Sequence, residues 1–167
     1  MRKAIHFLRR KSANYHMPIH VILGIFAAYF TSAHYPDYPK NTLILYGITG
    51  NLLPDIDHIF YIFLYAKHSD YSKKVKNYLK TNQFNKLFKF LKNNHKHNTG
   101  IYSHNFISLA ISVTLFWNFG FIRNDPASSV FFLSWSIHYL YDLSEDILFF
   151  KRLNPNWYLN FNHAGHV

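Results

Sequence analysis

The sequence predicts an all-α protein, a membrane-embedded four-helix bundle of two hairpins with a basic amphipathic segment on the cytoplasmic side. The first observation is a set of four apolar runs long enough for helices, at residues 18–35, 42–66, 105–122 and 129–150. The second is the placement of the eighteen Lys and Arg: five precede the first run, nine lie between the two hairpins and two follow the last run. Sixteen of them would therefore lie on one side, which predicts cytoplasmic termini.

Composition narrows the class of protein further. The 167 residues suffice for one helical domain with a hydrophobic core, predicted over residues 1–167. Aromatic residues make up 20% of the chain and charged residues only 16%, an unusual balance for a soluble protein. However, only the run at 105–122 contains no His, Asp or Glu and also approaches the length needed to span a bilayer. A soluble or secreted helical protein is the alternative to an inner (cytoplasmic) membrane protein, because basic residues 1–11 and the apolar stretch after them also resemble a signal peptide.

Proline residues delimit the first two helices. Pro18 suits a first helical turn, so the basic residues 1–15 are predicted to form an interfacial or frayed arm. A turn at residues 36–39 follows the first helix. Pro54 lies inside the second run and removes a backbone hydrogen bond, which predicts a kink or a restart just before Asp55.

The segment at 70–98 differs from the four runs because it is rich in Lys and Asn. Phe84, Leu87, Phe88 and Leu91 have the spacing of one face of an amphipathic helix. Such a basic helix either binds a membrane surface or packs on the domain as a solvated helix, and the sequence leaves both open. The net charge of +10 favours an anionic partner. Membrane lipid is the predicted partner and nucleic acid is not, because no recognition helix, zinc finger or aromatic-basic motif is present.

Polar side chains interrupt two of the apolar runs. Asp55 and His58 lie in the second run, and His138 and Asp142 share one face of the fourth. Burial of such groups without compensation costs several kcal/mol. Cysteine is absent, so only His and carboxylate ligands are available. A divalent metal ion, zinc in the first place, would satisfy these ligands together.

Depth in the predicted bundle adds two further ligands. His20 and His104 lie near the cytoplasmic ends of the first and third helices, on the same side as the other polar groups. Six or so ligands exceed the need of one tetrahedral zinc, so two ions would be plausible, an arrangement suited to displacement at phosphorus. Asp57 is a candidate bridging ligand, catalytic base or orienter of His58.

Four motifs in order resemble the inner-membrane-associated, metal-dependent hydrolase family, also described as LexA-binding hydrolases. The matching stretches are residues 17–20, 53–58, 103–104 and 138–142. The resemblance implies one to three metal ions, zinc first, on seven ligands: His20, Asp55, Asp57, His58, His104, His138 and Asp142. The last helix is more distantly similar to zinc-dependent phospholipase C. The stretch at 97–104 departs from the family pattern because it lacks the arginine usual there.

Together these observations predict a membrane-associated metal-dependent hydrolase. Its substrate would be a phosphoester or ester of a lipid or of a small molecule near the membrane, attacked by a metal-activated water with Asp57 as the candidate catalytic residue. The alternative is a non-enzymatic membrane protein that binds or transports metal ions through the same ligands. The sequence predicts no oligomeric state.

Overall fold

A computed structural model of the protein describes residues 2–94 and 101–159, with side chains from Lys11 onward except that of residue 13. Over these residues the chain is helical without strands, which confirms the all-α prediction. The described part contains these α-helices: α1 (Arg2–His34), α2 (Lys40–Leu52), α3 (Ile56–Phe60), α4 (Asp70–Lys80), α5 (Phe84–Asn94), α6 (Phe106–Trp117) and α7 (Pro126–Glu145). One compact unit comprises Met1–Pro54 with Phe106–Arg152, and a second comprises Asp55–Asn105 with Leu153–Val167.

Helix α1 begins well before Pro18, where the sequence analysis placed its start. It runs from Arg2 and is interrupted at Tyr15, whose backbone angles are φ −117° and ψ 18°. Pro18 explains the interruption, because its ring has no N–H and clashes with the carbonyl four residues earlier. The basic arm is therefore helical rather than frayed, and the break lies where the arm was predicted to meet the apolar helix.

The predicted break at Pro54 is confirmed. Helix α2 ends at Leu52, and a short 3₁₀ turn at Leu53–Asp55 leads into α3. A π-helical turn at Tyr61–Tyr65 completes the second apolar run. The helix type thus changes at the motif that carries Asp55, Asp57 and His58, and the second run is not one continuous α-helix.

The helices α1, α2, α6 and α7 pack together in the first unit. Glycines bring α2 close to its neighbours: a Cβ atom added at Gly24 would lie 2.6 Å from the carbonyl oxygen of Gly47, and one added at Gly50 would meet the backbone of Phe131. The core between these helices contains Leu43 and Val130. Backbone therefore touches backbone on both sides of α2.

Helices α6 and α7 agree with the third and fourth predicted runs. A π-helical turn at Asn118–Ile122 extends α6, and a second one at Asp146–Phe150 extends α7. Asp125 caps α7 by accepting a hydrogen bond from the backbone N–H of Ala127, and proline follows at the first helical position.

The second unit contains the predicted basic segment as two helices rather than one. Ser69 caps α4 by accepting from the backbone N–H of Ser72, and α4 and α5 pack on each other. Buried apolar residues hold them to the preceding π-helical turn: Tyr61, Ile62, Ala66, Tyr71, Val75, Leu87 and Ile101. Residues 95–98 of the predicted segment lie outside the described residues.

Within the described part of the chain, one helical stretch is long and apolar enough to cross a bilayer, the 21 residues Asn14–His34. The helical stretch Phe106–Ile122 is apolar but shorter. All four predicted runs are thus helical, and one of them meets the criterion for a membrane span on its own.

Candidate metal centres

The predicted ligands are divided between the two compact units, as a first and a second group. The first unit contains His20 on α1 with His138 and Asp142 on α7. The second unit contains the remaining four predicted ligands, Asp55, Asp57, His58 and His104. The convergence of all seven residues on one cavity stays a prediction.

In the first unit two imidazoles face one carboxylate. The Nε2 atom of His20 lies 4.0 Å from Oδ1 of Asp142, and Nε2 of His138 lies 3.5 Å from Oδ2 of the same residue. The two rings stack with centroids 4.1 Å apart. Both histidine side chains are fully buried and the Asp142 side chain is 6% exposed. Four residues apart on α7, His138 and Asp142 share a helix face, as the sequence predicted.

Asn51 fixes the opposite edge of both rings. Nδ1 of His20 lies 2.7 Å from the Asn51 side-chain oxygen, and Nδ1 of His138 lies 2.7 Å from the Asn51 backbone oxygen. The Asn51 amide donates to the backbone oxygen of Ser134 at 2.8 Å, so the oxygen of the amide is the atom that faces His20. The Ser134 hydroxyl in turn donates to the carbonyl of Gly47 at 2.6 Å.

These contacts determine which ring nitrogen can bind a metal. Because an oxygen faces each Nδ1, both Nδ1 atoms carry the proton and donate it. The Nε2 atoms directed at Asp142 are then the nitrogens that can ligate. Nε2 of His20 is buried and makes no hydrogen bond within the described part of the chain. A buried acceptor of this kind fits a metal ligand.

His16 and Glu145 border the first group. The ring centroids of His16 and His20 are 4.4 Å apart, and His16, His20 and Asp142 can offer ligand atoms within 4.8 Å of one another. Glu145 is buried one turn beyond Asp142 and accepts a hydrogen bond from the hydroxyl of Ser12. The first unit therefore holds more potential ligands than the sequence analysis assigned to it.

In the second unit one carboxylate faces two imidazoles. Oδ1 of Asp55 lies 3.7 Å from Nε2 of His58 and 3.9 Å from Nε2 of His104. The two rings meet edge to face at 5.6 Å, and the ligand atoms of all three residues lie within 4.8 Å of one another. The side chains are 19%, 28% and 10% exposed for Asp55, His58 and His104 respectively, so this group is more open than the first.

Asp57 has different partners. The Tyr65 hydroxyl donates to Oδ1 of Asp57, and the backbone N–H of Ser103 donates to Oδ2 at 2.6 Å. Burial raises the pKa of Tyr65 above its ordinary value, and the hydrogen bond to Asp57 and the charge of that carboxylate raise the pKa further. Tyr65 is thus held as a neutral donor. Asp57 thus connects α3 to Ser103. The Ser103 hydroxyl in turn lies 2.9 Å from Nδ1 of His104.

Comparison with known proteins gives no match for this chain. No family model, no curated protein and no solved structure is similar to it. The buried His and Asp groups that could hold a metal ion are therefore a finding of the structure alone.

Sequence reasoning gave no role to Asn51, Tyr65 or Ser103. One signal was present for Asn51, a carboxamide inside an apolar run and four residues before Asp55. Tyr65 carries no such signal, because it is an aromatic residue in an aromatic-rich chain. Ser103 belongs to a matching motif with His104, but its contact with Asp57, 46 positions away, has no signal in the sequence. Of the stretch at 97–104, where the sequence departs from the family pattern it otherwise resembles, residues 97–100 lie outside the described residues.

Proposed function

We propose that this chain is a membrane-embedded metal-dependent hydrolase, zinc being the first candidate ion, that cleaves a phosphoester or ester of a lipid or membrane-proximal small molecule. The observation that carries the proposal is the pair of histidines fixed by Asn51 with both Nε2 atoms directed at Asp142. The alternative is a membrane protein that binds or transports metal ions without catalysis.

The distances in the first unit favour a metal ligand set over an ion pair. A charge-assisted hydrogen bond between imidazolium and carboxylate would have a length of about 2.7–2.9 Å. The measured separations of 3.5 and 4.0 Å are longer. Two ligands of a tetrahedral zinc, each about 2.0–2.2 Å from the ion, are separated by about 3.4 Å. The separations in the second unit, 3.7 and 3.9 Å, agree with the same interpretation.

The surroundings of the ligands support it as well. Metal-binding histidines ordinarily donate their second N–H to a carbonyl or carboxylate, which fixes the tautomer and the ring orientation. Asn51 supplies two such oxygens from a single residue. A divalent cation would also interact favourably with the buried carboxylate of Asp142.

The distribution of polar and apolar residues in the first unit supports a membrane location. Small or polar residues occupy the helix contacts, among them Gly24, Gly47, Ser112 and Ser136, and the two serine hydroxyls lie 3.0 Å apart. Large apolar side chains face outward on all four helices: Ile22, Phe26, Phe30, Leu45, Ile107, Ile111, Trp117, Phe121, Ile122 and Leu140. Close contacts through small residues and an apolar exterior are typical of helices in lipid. We therefore propose that α1, α2, α6 and α7 form the membrane-embedded bundle.

The second group of ligands favours hydrolysis over storage or transport of metal. His58 and Asp55 are partly exposed, so water and a substrate can reach this group. A bound divalent metal would supply Lewis-acid activation of water and of the ester oxygen. Asp55, His58 and His104 would hold that ion. Asp57, with its two carboxylate oxygens engaged by Tyr65 and Ser103, would keep the backbone beside His104 in place rather than serve as the catalytic base.

Metal analysis of the detergent-purified protein tests the proposal. We expect the wild type to retain zinc, and His138→Ala and Asp55→Ala each to lose part of it. His34→Ala is the matched control, because His34 is an exposed histidine of α1. Unchanged metal content in both ligand variants would overturn the metal centres.

Hydrolysis of bis(p-nitrophenyl) phosphate and of a fluorogenic phosphatidyl ester, with a chelator and with zinc added back, tests catalysis. Stable metal without hydrolysis of either probe would favour the non-enzymatic alternative.

A further inference from the structure

Helix α5 leaves two phenylalanines exposed. Leu87 is buried in the core of the second unit and holds the helix to it, whereas Phe84 and Phe88 are 50% and 66% exposed. They lie four residues apart and so are neighbours on one face of the helix. Single exposed apolar residues are common on protein surfaces. Two large aromatic rings side by side form a patch whose contact with water is unfavourable.

Exposed lysines occur on both helices of the α4–α5 hairpin. Lys86, Lys89 and Lys92 lie on α5, and Lys73, Lys74 and Lys80 lie on α4. The only acidic residue of the two helices is Asp70, at the start of α4. No Asp or Glu occurs from there until Asp125. The hairpin thus combines a strong positive charge with an apolar patch on its second helix.

We propose that α5 docks on an anionic lipid surface, with Phe84 and Phe88 inserted at the level of the headgroups and the lysines paired with lipid phosphates. A basic helix that also exposes large aromatic residues is the arrangement that binds at a bilayer interface. Charge complementarity identifies the occupant: a second copy of the hairpin would bring like charges together. Nucleic acid would use the lysines but not the rings, because the rings lie on a helix and not on a stacking platform.

This docking goes beyond the proposed function and does not depend on the metal centres. It gives the second unit its own contact with lipid, one that responds to the charge of the leaflet. A protein that lost its metal would still dock, and a protein with α5 neutralised would still bind metal. The two proposals can therefore fail independently.

The absence of cysteine allows a direct test with single labels. Phe88→Cys carries a polarity-sensitive fluorophore on the proposed docking face. Asn93→Cys is the matched control. Asn93 is also exposed on α5, and it lies five residues after Phe88, which places it about 140° around the helix from that residue. Each protein is reconstituted in nanodiscs of phosphatidylcholine alone or with added phosphatidylglycerol, and quenching by doxyl-labelled lipid is measured. If the chain purifies without detergent, the same labels are measured with added vesicles of these compositions.

We expect the label at position 88 to shift to the blue and to be quenched by doxyl lipid only when anionic lipid is present, while the label at 93 stays in water. Lys86→Gln, Lys89→Gln and Lys92→Gln combined should abolish the quenching at 88 without unfolding α5, because these side chains are exposed. The proposal is overturned if both labels stay in water in every lipid, if quenching is equal with and without anionic lipid, or if position 88 shows self-quenching between copies instead.

Discussion

The two groups of ligands differ in how much water reaches them and in how their side chains are held. In the first unit His20 and His138 are fully buried, and one residue, Asn51, fixes both rings through its side chain and its backbone. In the second unit His58 is 28% exposed, and support comes from Asp57, Tyr65 and Ser103 around the loop before His104. The first group is thus closed to water, whereas the second is partly open to it.

The difference teaches that two sets of the same ligand types can differ in solvent exposure within one small chain. Each group combines one Asp with two His, and each presents a carboxylate to two Nε2 atoms at 3.5–4.0 Å. Structural metal sites are closed, whereas catalytic sites keep a position for water or substrate. The two groups therefore differ in the solvent exposure of their ligands and in the residues that hold those ligands, and not in ligand type.

The largest effect is expected from removal of a carboxylate. Asp142→Ala removes the carboxylate that faces both buried histidines, His20 and His138, so we expect the metal affinity of the first unit to fall by more than the roughly 100-fold that loss of a supporting residue causes. Asp55→Ala should lower the metal affinity of the second unit in the same way. Competition titration with a chromogenic chelator measures both. Equal loss from both units in either variant would remove the distinction between the two groups.

Asn51→Leu should have the next largest effect. It removes the side-chain oxygen that fixes His20 but keeps the backbone oxygen that fixes His138. We expect the metal affinity of the first unit to fall about 10–100-fold, with no change in the second. Ser134→Ala is the milder comparison, because the Asn51 amide keeps its bond to the Ser134 backbone. If Asn51→Leu bound metal as tightly as the wild type, the support of His20 by Asn51 would be disproved.

Gly50→Ala acts on the frame of the first unit. The added methyl group would collide with the backbone of Phe131, so α2 and α7 must separate. Overpacking of this kind costs about 1–3 kcal/mol, and thermal unfolding in detergent should shift down accordingly. Gly120→Ala is the control, because the neighbour it meets is the hydroxyl of Ser129 at 3.0 Å rather than backbone. A smaller shift for Gly50→Ala than for Gly120→Ala would contradict the close contact.

The smallest effect is expected from Tyr65→Phe in the second unit. It removes one hydrogen bond to the Asp57 carboxylate while the bond from the Ser103 N–H remains. A hydrogen bond to a charged group contributes about 1.5–3 kcal/mol, and less where the group is partly exposed. We expect a metal affinity of the second unit lowered less than tenfold, measured by the same titration. A loss of metal affinity as large as that of Asp55→Ala would show that Tyr65 does more than hold the Asp57 carboxylate in place.

Local features of the fold could be predicted from the sequence, and features that depend on two helices meeting could not. Pro54 acts on its own backbone, so the break before Asp55 was predictable. Pro18 was interpreted as the start of a helix, yet it marks a break inside α1, because a proline fits both positions. The stripe on α5 was recognised, but only its packing shows that Leu87 is buried while Phe88 is not.

The site shows the same limit. Spacing alone placed His138 and Asp142 on one face, and the structure has them so. The role of Asn51 depends on the approach of α1 and α7 to α2, which no spacing within one segment encodes. Asp57 is predicted as a ligand, base or orienter from its place between Asp55 and His58, and only the fold reveals its bonds to Tyr65 and Ser103.

The contact of α2 with its neighbours through backbone at Gly24, Gly47 and Gly50 has a consequence for ion choice. Side chains can rotate to enlarge a cavity, but peptide groups in a helix cannot. The spacing of α1, α2 and α7, the helices that carry His20, Asn51, His138 and Asp142, is thus limited by backbone contact. An ion that takes bonds of about 2.0–2.2 Å would then be favoured there over one that needs about 2.3–2.6 Å, such as calcium. Three residues without side chains would in this way act as the size filter of the first unit.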